Sequence, residues 1–145
     1  MHLQLPVIRL SAGMHVIRAE VAATVETRSR GLMFRESLEP NQGMVFVFDE
    51  AAAHCMWMRN TLVPLSVAFM GANGEITNIA DMKPRDDTTH CARQPVTHAL
   101  EMERFDAVLL DLGLPDGDGS EILRRLRSPR RPGGDSHALP DPNTP

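Results

Sequence analysis

The chain is poor in cysteine, lysine and aromatic residues, and each scarcity narrows what it can be. Of its 145 residues only Cys55 and Cys91 are cysteines, so no disulfide framework is indicated, and reducing conditions are expected to keep both as thiols. Lys83 is the one lysine among 15 basic residues, a skew toward arginine that fits codon bias better than recognition chemistry. The formal net charge of −4 is small and mixed in sign, which gives no electrostatic pull toward nucleic acid or an anionic membrane. The N-terminal stretch lacks a cationic start, and Gln4, Pro6, Arg9 and Ser11 interrupt its apolar residues, so neither a secretory signal nor a membrane span is read there. The expectation is a cytoplasmic protein. Aromatics make up 4% of the chain, and nine methionines are expected to fill the irregular gaps a larger ring would otherwise occupy. There is no internal repeat.

What is present reads as alternating strands. Residues 15–25 place Ile17, Ala19, Val21 and Ala23 on one face and Arg18 and Glu20 on the other. Thr27 stands where a helix N-cap would, ahead of a short helix over 29–34 that Pro40 and Gly43 keep from continuing. Strands follow at 44–48, 55–58 and 62–70, and Pro64 predicts an edge or bulge at its end of the third. Asn73-Gly74 predicts a tight hairpin into a strand over 75–82, residues 83–95 read as a polar loop, and 96–102 as one more strand. Connections this short favour antiparallel neighbours. The expected fold is α+β: a compact, mainly antiparallel sheet or small barrel with one short helix.

Beyond Arg104 the character changes. Residues 107–112 are nearly continuous aliphatic, 113–119 form an acidic, glycine-rich loop, and 121–127 carry a helical apolar stripe of Ile122, Leu123 and Leu126. Residues 128–145 are rich in proline and almost without aliphatics, the composition of a disordered tail. Three segments result: a β-rich domain over 1–104, a strand-loop-helix fragment over 105–127 and a tail over 128–145.

The segments Arg30-Gly31-Leu32-Met33-Phe34-Arg35, Gly43-Met44-Val45-Phe46-Val47-Phe48 and Met56-Trp57-Met58-Arg59-Asn60-Thr61-Leu62-Val63-Pro64-Leu65 occur in one order. With Ile79-Ala80-Asp81-Met82-Lys83-Pro84 and Leu100-Glu101-Met102, they closely resemble a bacterial and archaeal family, domain of unknown function 192. The resemblance covers about residues 5–103 and implies a compact β-rich α+β fold with no established activity. Arg59 stands where the family usually has lysine, and the family's closing segment after the Leu-Glu-Met stretch is missing. The stretch from Phe105 to Arg127 is similar to the middle of a response-regulator receiver domain, with Asp111 matching the phosphoacceptor aspartate. Receiver chemistry also needs an acidic pair for Mg²⁺ and a downstream lysine. Asp86-Asp87 lies in the other family's loop and no lysine follows Asp111, so Asp111 is expected to be an ordinary carboxylate.

Candidate sites are few. His54-Cys55 and His90-Cys91 could offer imidazole and thiolate to zinc if their loops meet, but adjacent side chains on a strand point apart. Ordinary, unlinked residues are the simpler reading, with a disulfide or a metal as alternatives, and no cofactor is expected. A regular strand would put Cys55, Trp57, Arg59 and Thr61 on one face, which combines an aromatic plane, a forked cation and a hydroxyl. Alternatively Trp57 anchors the core and Arg59 packs over its edge or pairs with Glu101, while Asn60 serves a turn. The function expected is a binding module for a small molecule or protein, without catalysis, around Trp57, Arg59, Asn60, Thr61 and Glu101. A partial receiver acting through Asp111 is the alternative.

Overall fold

A computed structural model describes residues 5–12 and 15–103. The strand-loop-helix fragment over 105–127, with Asp111, and the tail over 128–145 lie outside the described residues. Strands β1 (Val7–Ala12), β2 (His15–Ala22), β3 (Gln42–Ala52), β5 (Leu65–Met70), β6 (Ile76–Met82) and β8 (Val96–Met102) form a six-stranded sheet in the order β1-β2-β3-β8-β5-β6. Two short strands, β4 (Cys55–Met56) and β7 (His90–Cys91), make a separate ribbon. The architecture is strand-rich and mainly antiparallel, with one short helix, α1 (Val25–Arg30), among the described residues.

One pairing departs from the sequence expectation: β2 and β3 run parallel. The connection over 23–41 is long enough for a crossover and contains α1, which is what a parallel pair requires. The helix itself starts earlier than its composition suggested. Thr24, not Thr27, is the N-cap, and the two side chains cap reciprocally: Thr27 N–H donates to Thr24 Oγ1 at 3.1 Å and Thr24 N–H to Thr27 Oγ1 at 3.0 Å. Gly31, at a φ of 51°, ends the helix after Arg30, four residues before the sequence reading did, and its N–H closes on Thr27 O at 2.9 Å. Arg28 fastens α1 to the sheet by donating to Val47 O at 3.0 Å and pairing with Asp49 at 3.0 Å.

The hairpin between β5 and β6 forms as the Asn-Gly signal predicts. Gly74 takes a φ of 86°, and Asn73 contributes through its side chain, which accepts from Glu75 N–H at 3.0 Å. Pro64 sits just ahead of β5, so no ladder N–H is asked of it, and β5 is a central strand with every residue buried rather than an edge.

Chain return places β8 between β3 and β5, so the last described strand is the sheet's middle. Its residues Ala99 to Met102 are all buried, and the two faces of the sheet carry separate apolar layers. One layer, around Ile17, Ala19, Val21, Val45, Ala68, Met70, Leu100 and Met102, is built among the described residues from strands of the sheet. The other layer mixes sheet residues (Met44, Phe46, Val67, Phe69, Ala99) with Leu32, Met58, Val63 and Ala92 from the loops that cover this face. Gly43 marks the tightest approach in the sheet. A Cβ there would meet Glu101 O at 2.5 Å and Met102 Cγ at 2.7 Å. Gly43→Ala is therefore expected to cost about 1–3 kcal/mol, as overpacking does, which urea denaturation would register as a lower midpoint.

Candidate functional site

Three loops lie over the second apolar layer: 31–41 after α1, 53–64 around β4, and 83–95 around β7. Backbone hydrogen bonds lash them together. Phe34 N–H donates to Asn60 O at 2.8 Å, Arg85 N–H to Thr61 O at 2.9 Å, Met58 N–H to Asp86 O at 2.9 Å and Ala92 N–H to His54 O at 2.9 Å. Phe34, Asn60 and Arg85, one from each loop, hold left-handed backbone at φ values of 67°, 56° and 60°. That conformation suits asparagine but is costly for phenylalanine and arginine, and it persists because the surrounding hydrogen bonds impose it. Asparagine was the legible one of the three; nothing in the sequence marks Phe34 or Arg85 as left-handed.

Only Cys55 and Met56 of the expected strand over 55–58 are paired, yet the alternation continues beyond them. Cys55, Trp57 and Arg59 face solvent, and Met58 turns fully into the core. Trp57 is therefore not the core anchor: it is 41% exposed, and the Arg59 guanidinium carbon lies 4.2 Å from its ring centroid. Arg59 pairs with Asp87 at 3.3 Å and not with Glu101. Thr61 leaves the exposed set. It is buried, its hydroxyl donates to Arg59 O at 3.2 Å, and its N–H donates to Met58 O at 3.1 Å, so its work is to shape the turn. Asn60 is exposed and supplies the turn's left-handed position. Phe34, missed by the sequence reading, is 55% exposed on the loop bonded to Asn60, with the Arg30 guanidinium 6.0 Å from its ring centroid.

The cysteines meet. Cys55 and Cys91 sit directly opposite each other across the β4–β7 ribbon and form a disulfide, against the expectation of two thiols. Sequence separation hid this, because the contact depends on two loops 36 residues apart folding onto one sheet face. Disulfide sulfurs have no thiolate to give a metal, which removes Cys55 and Cys91 from the zinc set in this state. His54 stacks on Phe48 with ring centroids 3.8 Å apart and donates Nε2–H to Glu50 O at 2.8 Å, while His90 Nε2 is buried without a partner among the described residues. Among the described residues no three His, Cys, Asp or Glu side chains gather as a metal site would need. Asp86 and Asp87 are both engaged: Asp86 accepts from Thr88 N–H, which holds its carboxyl below the usual range, and Asp87 holds Arg59.

Glu101 lies apart from this ridge, at the centre of the sheet. Cross-strand register puts it in one row with Glu20, Met44, Val67 and Ala80. Glu20, beyond Met44 in the row, is held by both terminal nitrogens of Arg35, the second at 2.9 Å, and this bond raises the guanidinium further above its ordinary range. Among the described residues Glu101 has no such partner. It is 4% exposed, no described residue hydrogen-bonds its carboxyl, and burial pushes its pKa up to about 8. It therefore carries its proton at neutral pH. An unfolded chain gives that proton up near the ordinary carboxyl value of 4.5, so the folded state binds more protons between about 4.5 and 8, and stability falls as pH rises through that window. The expected slope is on the order of 1 kcal/mol per pH unit, levelling above the folded value. Chemical denaturation of the parent and of Glu101→Gln at a series of pH values checks this: the substitution should flatten the slope and leave the protein more stable than the parent at high pH. Parallel curves would exclude a buried, protonated Glu101.

Comparison with known proteins agrees with the fold. The chain is similar to a candidate transcription regulator from Sinorhizobium meliloti 1021, with a TM-score of 0.67 and 31% identity over 79% of this chain and 90% of that one. It is also similar to a protein of unknown function from Novosphingobium aromaticivorans DSM 12444, with a TM-score of 0.66 and 36% identity over 79% of this chain and 81% of that one. No curated protein matches. Among the described residues no helix is long and apolar enough to cross a membrane. The family model described as Uncharacterized ACR, DUF192, matches residues 7–118, which runs past Arg104 into the receiver-like stretch, and no comparison points to a receiver domain. The chain belongs to the DUF192 family.

Proposed function

We propose that the chain is a recognition module without catalysis, which binds a small molecule or a protein segment carrying an anionic group at the ridge formed by Trp57 and Arg59. The observation that carries this reading is the exposed stack itself. The chain's one tryptophan keeps 41% of its surface in solvent, with a guanidinium 4.2 Å from its ring, although a core was available to bury it. Tryptophan and arginine dominate binding energy at interfaces because each offers large contact area with directional chemistry. Arg59 is half exposed even while it holds Asp87, so its fork can exchange that weak surface pair for a ligand's carboxylate or phosphate. Preorganisation supports the same reading: the loop bearing the ridge is bonded to both of its neighbours, so little ordering entropy is owed on binding. Phe34, on the adjoining loop, extends the apolar surface available to a partner. The regulator description of the Sinorhizobium protein accords with recognition rather than reaction.

Thermal-shift screening of the parent chain against anionic metabolites and acidic peptides, repeated with Trp57→Ala and Arg59→Ala, tests this. At least one ligand should raise the parent's melting temperature, and each substitution should weaken its binding by roughly 10-fold or more. Without ligand, both variants should stay within about 0.5 kcal/mol of the parent, as exposed positions do. A ligand bound equally well by all three proteins, or no stabilising ligand at all, would count against the ridge.

A further inference from the structure

We infer that Cys55–Cys91 is a reversible thiol–disulfide exchange site, taking a low-molecular-weight thiol as co-reactant, whose oxidation state sets the order of the Trp57–Arg59 ridge. The inference concerns control of the site proposed above and rests on that reading. Both cysteines are exposed, so a thiolate can approach either sulfur. The ribbon they join has only two paired positions, Cys55 with Cys91 and Met56 with His90, and a ladder that short holds its strands weakly without a covalent tie. The bond closes a loop across a sequence separation of 36, where a cross-link restricts the chain substantially.

Coupling to the ridge follows from position. Trp57 and Arg59 are the next outward-facing residues after Cys55, and Asp87 lies just upstream of Cys91, so the Arg59–Asp87 pair spans the two segments the disulfide joins. With both partners more than half exposed, that pair contributes little by itself and persists while the segments are held in register. The two segments are anchored unequally. Asn78 in β6 donates to Cys91 O at 3.1 Å and accepts from Arg93 N–H at 3.0 Å, fixing the β7 side to the sheet. The β4 side is fixed at His54, whose O accepts from Ala92 N–H, and at Met58, whose N–H donates to Asp86 O; between them Cys55 has only the ribbon and its own Sγ contact to Ala53 O at 3.7 Å. Reduction therefore loosens residues 55–57, with the Trp57 ring, between those two fixed points.

The exchange balances in two steps. A thiolate attacks one cysteine sulfur and breaks the S–S bond, giving a mixed disulfide and a protein thiolate that takes up a proton. A second thiol attacks the mixed disulfide, leaves both cysteines as thiols, and departs as the oxidised dimer, so two electrons pass to the protein.

The chain has one tryptophan and no tyrosine, so its emission reports Trp57 alone. The full chain is titrated in glutathione buffers of graded ratio, with cysteine state read by alkylation and mass shift and Trp57 emission read in parallel without ligand. Emission should rise and shift to longer wavelength in step with reduction, as the ring loses its Arg59 stack and the neighbouring disulfide. The Cys55→Ser/Cys91→Ser double variant should show the reduced-state emission at every ratio. Full alkylation of both cysteines with unchanged emission would overturn the coupling, and two free thiols at every ratio would overturn the exchange site. Because no ligand enters the titration, a ridge that fails to bind in the screen is distinguishable from a bond that fails to control it.

Discussion

The loop surface depends on backbone hydrogen bonds that run between loops rather than within them. Phe34 to Asn60, Arg85 to Thr61, Met58 to Asp86 and Ala92 to His54 tie three irregular segments into one layer over the sheet. Each bond satisfies a main-chain group that would otherwise be costly to bury, and together they hold Phe34, Asn60 and Arg85 in a backbone region that two of them would not choose. Met58 shows what the layer gains, since it goes fully into the core while its neighbours Trp57 and Arg59 stay outside. The ridge is thus a consequence of how this cover is fastened.

Beneath the cover, the return of β8 into the middle of the sheet explains both the core and its oddest member. Apolar layers cover both faces of the sheet at β8, which buries Ala99 on one and Leu100 and Met102 on the other. Glu101 occupies the same strand with no donor facing it among the described residues, so the cheapest state is the neutral acid. Its row mate Glu20 solves the same problem differently, through Arg35 from the loop after α1. One carboxyl is held by a guanidinium and the other is protonated, within a single row of the sheet.

Much of the sheet was legible because alternation is a local property. The buried face of β2, the β5–β6 hairpin and the bounds of β8 follow from residues close together in sequence, and the motifs spread along the chain carried the family resemblance. What stayed hidden depends on distant contacts. The parallel pairing of β2 with β3 requires knowing that the segment over 23–41 crosses the sheet, and Thr24 displaced Thr27 as cap because reciprocal side-chain bonding outweighed position. The site divided in the same way: Trp57, Arg59 and Asn60 were marked by residue type, whereas the exposure of Trp57, the Arg59–Asp87 pair and the Cys55–Cys91 bond arise only when loops from opposite ends of the middle of the chain meet.

A fastened loop layer is the premise from which the ridge draws its preorganisation. Amide hydrogen exchange resolved at single residues measures it directly. The N–H groups of Phe34, Met58, Arg85 and Ala92 should exchange slowly and with similar protection, well above that of exposed loop amides such as Asp87. If those four exchange as fast as Asp87, the loops are not held as one layer, and the ridge they support has no fixed form to recognise a ligand.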